Sequence, residues 1–290
     1  MSNALVGKLS WKGINSRKTA AAAILVEAAL IIVLFMPTLA WMNERFFEEN
    51  SYYGHGWLIP AAVAFLIWRK RRIFSRIPST PRWSGLFLVA FGVLLYLAAR
   101  AVEINFLAAM AFFPLITGLV LFQWGTGWTG LILPPLLLLV FMIPLPGIWI
   151  ISITFHLKNF SAAVGVELAR FCGIDIIRRG VEIILPGAPP GQALTIGDPC
   201  SGLRSLISFG ALGGFFAILL PVGLFRRLLI FLTALILAPL SNIFRVFLLI
   251  LLRRAVGDGI LSGPWHITLG IVLFFLAFLI FLQVVRWLLS

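Results

Sequence analysis

Residues 198 to 206 read Asp-Pro-Cys-Ser-Gly-Leu-Arg-Ser-Leu, so a carboxylate, a thiol, hydroxyls and a guanidinium stand directly before the apolar run 206–222. Cys200 is one of only two cysteines in the chain. Pro199 fixes φ and suits the entry to a helix. A thiol at that entry feels the positive end of the helix dipole, which favours thiolate and makes Cys200 a candidate nucleophile. Arg204, four residues on, falls one turn deeper on the same face. Ser201 and Asp198 flank the thiol as supporting or substrate-binding candidates. Taken alone, a cysteine in such a place is more often a small buried residue capping a membrane helix, so the other polar residues decide.

Arg245 stands inside an apolar run, in Ser241-Asn-Ile-Phe-Arg245. A guanidinium there costs a few kcal/mol unless it faces a partner or water, which makes it functional by default. A structural ion pair with Asp198 or another outer acid is the plainer alternative. Asn242, one turn earlier on the same face, is placed to orient it. His266 opens the last apolar run; an interfacial histidine with no chemical role is the alternative there. A thiol, an imidazole and a guanidinium at one depth make a thiol acyl-transfer site: nucleophile, proton shuttle and oxyanion stabiliser. Such a trio arises on unrelated folds, so geometry must decide. His55 and His156 are rival histidines, but neither adjoins a run bearing the thiol or the arginine. Cys172 is expected to be a packed small residue.

These residues must be positioned by membrane helices. The chain is 61% hydrophobic and only 11% charged, with a mean hydropathy of +1.06. That excludes an ordinary soluble domain and predicts an all-α polytopic membrane protein. About eight transmembrane helices are expected, at 20–41, 57–68, 85–101, 105–124, 128–143, 204–222, 228–252 and 265–288. The second is short and needs Tyr53 and arginine stems to extend it. Segment 148–172 carries His156, Lys158, Glu167 and Arg170 at moderate hydrophobicity and reads as an interfacial helix. Residues 174–196 hold β-rich pieces at 176–177, 181–185 and 193–196, with Arg178-Arg-Gly180 as the first turn. Open strands are not tolerated in lipid, so this is a small extracytoplasmic insertion before the sixth span. A single membrane domain over 1–290 is the simplest description, with no internal repeat.

The net charge of +13 reflects topology rather than nucleic-acid binding. With a cytoplasmic N-terminus, eight spans put Lys8, Lys12, Arg17, Lys18, the Arg69–Arg82 cluster, Arg226, Arg227 and Arg286 inside. Every acid falls outside except Glu27, which lies in the first run. That obeys the positive-inside rule. Both termini are then cytoplasmic, and Cys200, Arg245 and His266 share the extracytoplasmic face. No cleavable leader is expected from the polar, basic stretch 1–18. Two cysteines make no disulfide framework, no metal-ligand spacing occurs, and no cofactor is called for.

The chain resembles the exosortase/archaeosortase family of membrane cysteine transpeptidases. The resemblance rests on Met142-Ile-Pro-Leu-Pro146, Cys200-Ser-Gly-Leu-Arg-Ser-Leu206, Asn242-Ile-Phe-Arg245, His266 and Tyr53-Gly-His-Gly-Trp57. It implies a catalytic Cys200, Arg245 and His266. It also implies partners among exported proteins that end in a short motif such as Pro-Glu-Pro, a transmembrane helix and a basic tail. Cleavage in the plasma (inner) membrane through a thioacyl intermediate, alongside exopolysaccharide or biofilm assembly, follows from the same likeness. The commonest family pattern has Glu two residues before the cysteine, where this chain has Asp198. Two other classes compete: a transporter using Arg245 as a substrate contact, and a membrane acyltransferase working through Ser201 or His266. Cys200→Ser and thiol-specific alkylation separate them from the thiol enzyme.

Overall fold

The computed structural model describes residues 17–49, 51–185, 194–195, 202–257 and 264–290, with backbone alone at 17–21, 194–195 and 264–267. Helix α1 runs Arg17–Phe47 with Pro37 inside it. The chain divides after Glu44 into two units, Met1–Glu44 and Arg45–Ser290. Helix α2 (Leu58–Arg69) is followed by the single turn α3 (Arg71–Phe74) and by α4 (Ser84–Ala101). The chain reverses at Glu103, whose φ is 57°, into α5 (Asn105–Met110) and α6 (Phe112–Trp124). Helices α4 and α6 pack backbone to backbone: a Cβ on Gly85 would stand 2.5 Å from the Gly118 carbonyl. Small residues at such a seam let membrane helices approach closely.

Helix α7 (Thr126–Leu137) carries Pro134 and Pro135, and then tightens into a 3₁₀ turn, Leu138–Met142. Two successive prolines withhold the N–H groups that an α-helix needs there. After Pro144 and Pro146, α8 (Gly147–Phe171) sets off at 81° to the preceding helix. The sheet β1 (Ile177–Arg179), β2 (Glu182–Ile184) and β3 (Leu194–Thr195) is antiparallel in that order. Arg178 and Arg179 belong to β1 rather than to the turn expected of them. The reversal is made at Gly180-Val181, with Arg179 facing Glu182 across the hairpin. Ile176, Ile183 and Leu185 pack with Ala162, Val166 and Ala169 of α8 and with Val246, Leu249 and Ile250. The sheet is therefore pinned to the end of the next long helix.

Helices α9 (Leu203–Leu219), α10 (Leu224–Val256) and α11 (Pro264–Leu289) share a core of Phe209, Ile230, Ala234, Ala238, Ala277 and Phe281. Helix α10 is 33 residues long, about 50 Å at 1.5 Å per residue, against a hydrocarbon layer of about 30 Å. Eighteen residues separate Arg227 from Arg245, a rise of about 27 Å. If Arg226 and Arg227 mark one edge of the lipid, Arg245 stands at the other, and α10 continues beyond it to carry α8 and the sheet.

Five described helices are long and apolar enough to cross a bilayer, or six with α7 and α8 as one bent pair. This differs from the expected eight. Helices α2 and α9 have only 12 and 17 residues. The chain before Leu58 is turned rather than helical, so Tyr53 does not lengthen the second span. The protein is a multi-pass membrane protein, with the sheet attached to the extension of α10.

Candidate functional site

Three contacts tie α9, α10 and α11 together where the chemistry was expected. Gly202 is the N-cap of α9, with φ 80°, a left-handed conformation that favours glycine. A Cβ there would meet the Asn242 Cγ at 3.0 Å. Gly202 thus opens α9 directly against Asn242 of α10. Asn242 is buried, and its Nδ2 donates to Ser161 Oγ of α8 at 2.9 Å, joining α8 to the same point. One turn along α10, the Arg245 guanidinium lies against Gly270 of α11: a Cβ on Gly270 would sit 3.0 Å from the Arg245 Cζ. Position 266 is one turn before Gly270 on the same face of α11. Ser241 Oγ adds a 3.4 Å bond to the Leu273 carbonyl across the same helix pair.

Asp198, Cys200 and Ser201 lie outside the described residues, and of His266 only the backbone is described. The structure brings Gly202, Asn242, Arg245 and Gly270 together, which are the positions flanking or carrying the expected site. Arg204 is exposed on the first turn of α9. Cys172, expected to be packed, is exposed at the end of α8. Cys172 is the C-cap of α8, one position past the exposed Phe171 and off the face on which Ala169 packs against α10.

His55 is a second correction. It was set aside as remote from the thiol-bearing span, yet its Nδ1 lies 3.4 Å from Ser208 Oγ on α9. The loop that holds it is well anchored. Ser51 Oγ donates to the Arg45 carbonyl at 2.6 Å, and the Tyr53 N–H donates to that hydroxyl at 3.0 Å. The Leu145 N–H donates to the Tyr53 hydroxyl at 3.1 Å, locking the loop onto the Pro144-Leu145-Pro146 turn. Burial pushes the Tyr53 phenol up to about 12. Burial, and then the Arg204 charge, push His55 below its ordinary value, so it is neutral at pH 7. Its Nε2 is buried without a hydrogen-bond partner among the described residues. The signal was present in Tyr53-Gly-His-Gly-Trp57, a polar, glycine-flanked entry to a short apolar run. Sequence distance from Cys200 hid it. His156, by contrast, only bonds back to the Ser152 carbonyl of its own exposed helix face.

Against this geometry, the family comparison is specific. A family model described as transmembrane exosortase matches residues 41–283, which takes in the whole of α2 to α10 and most of α11. The chain belongs to the transmembrane exosortase family. That family is one of membrane cysteine peptidases and transpeptidases. No curated protein and no solved structure matches the chain. In this exosortase-family chain the matched region contains all the contacts just described, from the Tyr53 loop to Gly270.

Proposed function

We propose that the protein is a membrane cysteine peptidase or transpeptidase that cleaves C-terminal sorting signals of exported proteins. Cys200, Arg245 and His266 are its working residues. The observation that carries this reading is the linked seat of Gly202 on Asn242 and Arg245 on Gly270. It draws the helix entry after Cys200, the guanidinium, and the turn of α11 that bears His266 into one place.

In this scheme the Cys200 thiol gives its proton to the His266 imidazole, and the sulfur attacks the scissile carbonyl carbon. The carbonyl π pair moves onto oxygen, where the Arg245 guanidinium stabilises the charge. Collapse breaks the C–N bond, and the imidazolium returns its proton to the leaving amine. A thioester on Cys200 remains, to be resolved by water, an amine or a hydroxyl, with the proton passing again through His266. Arg245 at the end of the lipid-crossing part of α10 would serve a peptide held at the membrane surface, below which a substrate helix can lie in lipid. We place the site on the extracytoplasmic face of the plasma membrane, with both termini cytoplasmic. Asn242 positions rather than reacts, because it holds α8, α10 and the entry to α9 together.

The test is processing of a co-expressed exported protein that ends in a short motif, one apolar helix and an arginine-rich tail. Wild-type enzyme should remove the tail, and Cys200→Ala should not. Trapped thioester on Cys200, released by hydroxylamine, would identify the intermediate. Processing that survives Cys200→Ala would overturn the proposal.

A further inference from the structure

The end of the bundle away from the site gathers positive charge with no carboxylate beside it among the described residues of Arg45–Ser290. Helices α2 and α9 run parallel, because His55 just before α2 meets Ser208 early in α9, and Phe65 meets Phe215 further along at 6.3 Å. They therefore finish at one level. Lys70 ends α2, and Arg226 and Arg227 open α10 just after α9. The sequence holds no Asp or Glu at 50–102, 104–166, 199–257 or 259–290, which covers the elements of Arg45–Ser290 that reach this level. Aromatic rings mark the depth. Trp124 and Trp128 stack at 5.4 Å, Phe74 lies 4.7 Å from Trp128, and Trp83 meets Phe122 at 5.5 Å. Tryptophans collect at the headgroup level of a bilayer.

Lys70 is built into this end rather than scattered on it. Its Nζ donates to the Leu131 carbonyl of α7 at 3.1 Å. That carbonyl is available because its helical partner would be residue 135, a proline without an N–H. The ammonium keeps two further N–H groups. Arg71, its neighbour, is turned away onto the Trp68 ring, 4.0 Å from the centroid. Burial, and then the Arg227 charge, lower the Lys70 ammonium from its ordinary value. Because α2 and α9 end together, Lys70 and Arg227 stand at one level, half-buried and exposed respectively, with no carboxylate there among the described residues of Arg45–Ser290.

We infer that Lys70 and Arg227 bind the phosphate of an anionic phospholipid headgroup at this end of the bundle. A lipid rather than a soluble anion is favoured by the tryptophan level and by the seating of Lys70 against α7, beside the apolar helix faces where acyl chains lie.

The test uses the full chain in phosphatidylcholine nanodiscs or neutral detergent. Phosphatidylglycerol is titrated while melting temperature and bound lipid (by native mass spectrometry) are followed. Phosphatidylglycerol should raise the melting temperature and remain bound. Arg227→Gln, which leaves the Lys70–Leu131 bond in place, should weaken its retention about fivefold, and Lys70→Gln should do likewise. Arg254→Gln, at the opposite end of α10, should not. Equal loss in Arg254→Gln, or retention unchanged in both test variants, would overturn the inference. Stabilisation by inorganic phosphate alone to the same extent would overturn the lipid assignment. The proteins melting alike in phosphatidylcholine would confirm that folding is not what the variants change.

Discussion

Replacing Gly270 with alanine should damage the reaction while leaving the fold at least as stable. The new Cβ would stand 3.0 Å from the Arg245 Cζ and 3.1 and 3.2 Å from its two terminal nitrogens. Ordinary contact begins at 3.4 Å, so the guanidinium must retreat by about 0.4 Å. Misplacing a reacting group by about 1 Å can cost on the order of 100-fold. Scaled to this retreat, Gly270→Ala should slow tail removal about fivefold to tenfold. Gly270→Val, whose two methyls add bulk to a Cβ already 3.0 Å from the guanidinium carbon, should approach the roughly 10²–10³-fold loss expected for Arg245→Ala. Alanine in a helix interior is favoured over glycine by about 1 kcal/mol, so the melting temperature should hold or rise. The measurement is the rate at which a co-expressed signal-bearing protein loses its tail, read beside thermal unfolding of each variant. Wild-type processing by Gly270→Ala, with Arg245→Ala inactive, would refute the seating of Arg245 on Gly270. A fall of several degrees in the alanine variant would show that its slow processing is structural.

Gly202→Ala should destabilise by about 1–2 kcal/mol from its φ alone, and should also disturb Asn242, so both melting temperature and processing fall together. Asn242→Leu leaves the buried Ser161 hydroxyl without its 2.9 Å partner and should cost about 1–3 kcal/mol; Asn242→Leu with Ser161→Ala should recover part of that in thermal unfolding. Tyr53 holds its proton up to about 12 in the folded chain and to about 10 in the unfolded one. Between those values the folded state binds more protons, so stability should fall by up to about 3 kcal/mol as pH rises from 10 to 12; Tyr53→Phe should lack that fall while losing about 1 kcal/mol at neutral pH for the bare Leu145 N–H.

For His55 the sign is opposite. Its folded value lies below the unfolded one, so the unfolded chain takes up the proton first as pH drops. Stability should therefore decline as pH falls below about 6.5 and level off beneath the folded value. His55→Gln should flatten that slope in a melting series across acidic pH, and a slope unchanged in the variant would refute the buried, neutral imidazole.

The chemistry-bearing pattern was more legible than the architecture. Arg245 declared itself through the expense of a charge among apolar residues, and its neighbour Asn242 through helical spacing; both lie where α10 meets α9 and α11. Gly202 and Gly270 carried no such signal, because a glycine's value is set by what comes close to it, and only Asn242 and Arg245 in place reveal that. The expected count of eight spans exceeds the five or six helices long enough to cross, for a related reason. Hydropathy registers apolar length but not depth, so the short α2 and α9 read like full crossings, and the helix of α10 runs four residues past the expected span end at Leu252. Arg178 and Arg179 looked like turn residues because they precede Gly180. The hairpin instead turns at Gly180-Val181, and the arginines are free to remain in the strand because β1 is exposed.

If Arg227 and Arg245 mark the two lipid edges of α10, the distance of about 27 Å between them acts as a fixed ruler laid across the membrane. Lipids with short acyl chains would leave the Arg245 end hydrated, whereas long chains would draw hydrocarbon up over it, since helices and bilayers adjust to one another at fractions of a kcal/mol per Å. The same chain should therefore work fastest in membranes of matching thickness, and acyl length becomes a dial on its chemistry that requires no change in sequence.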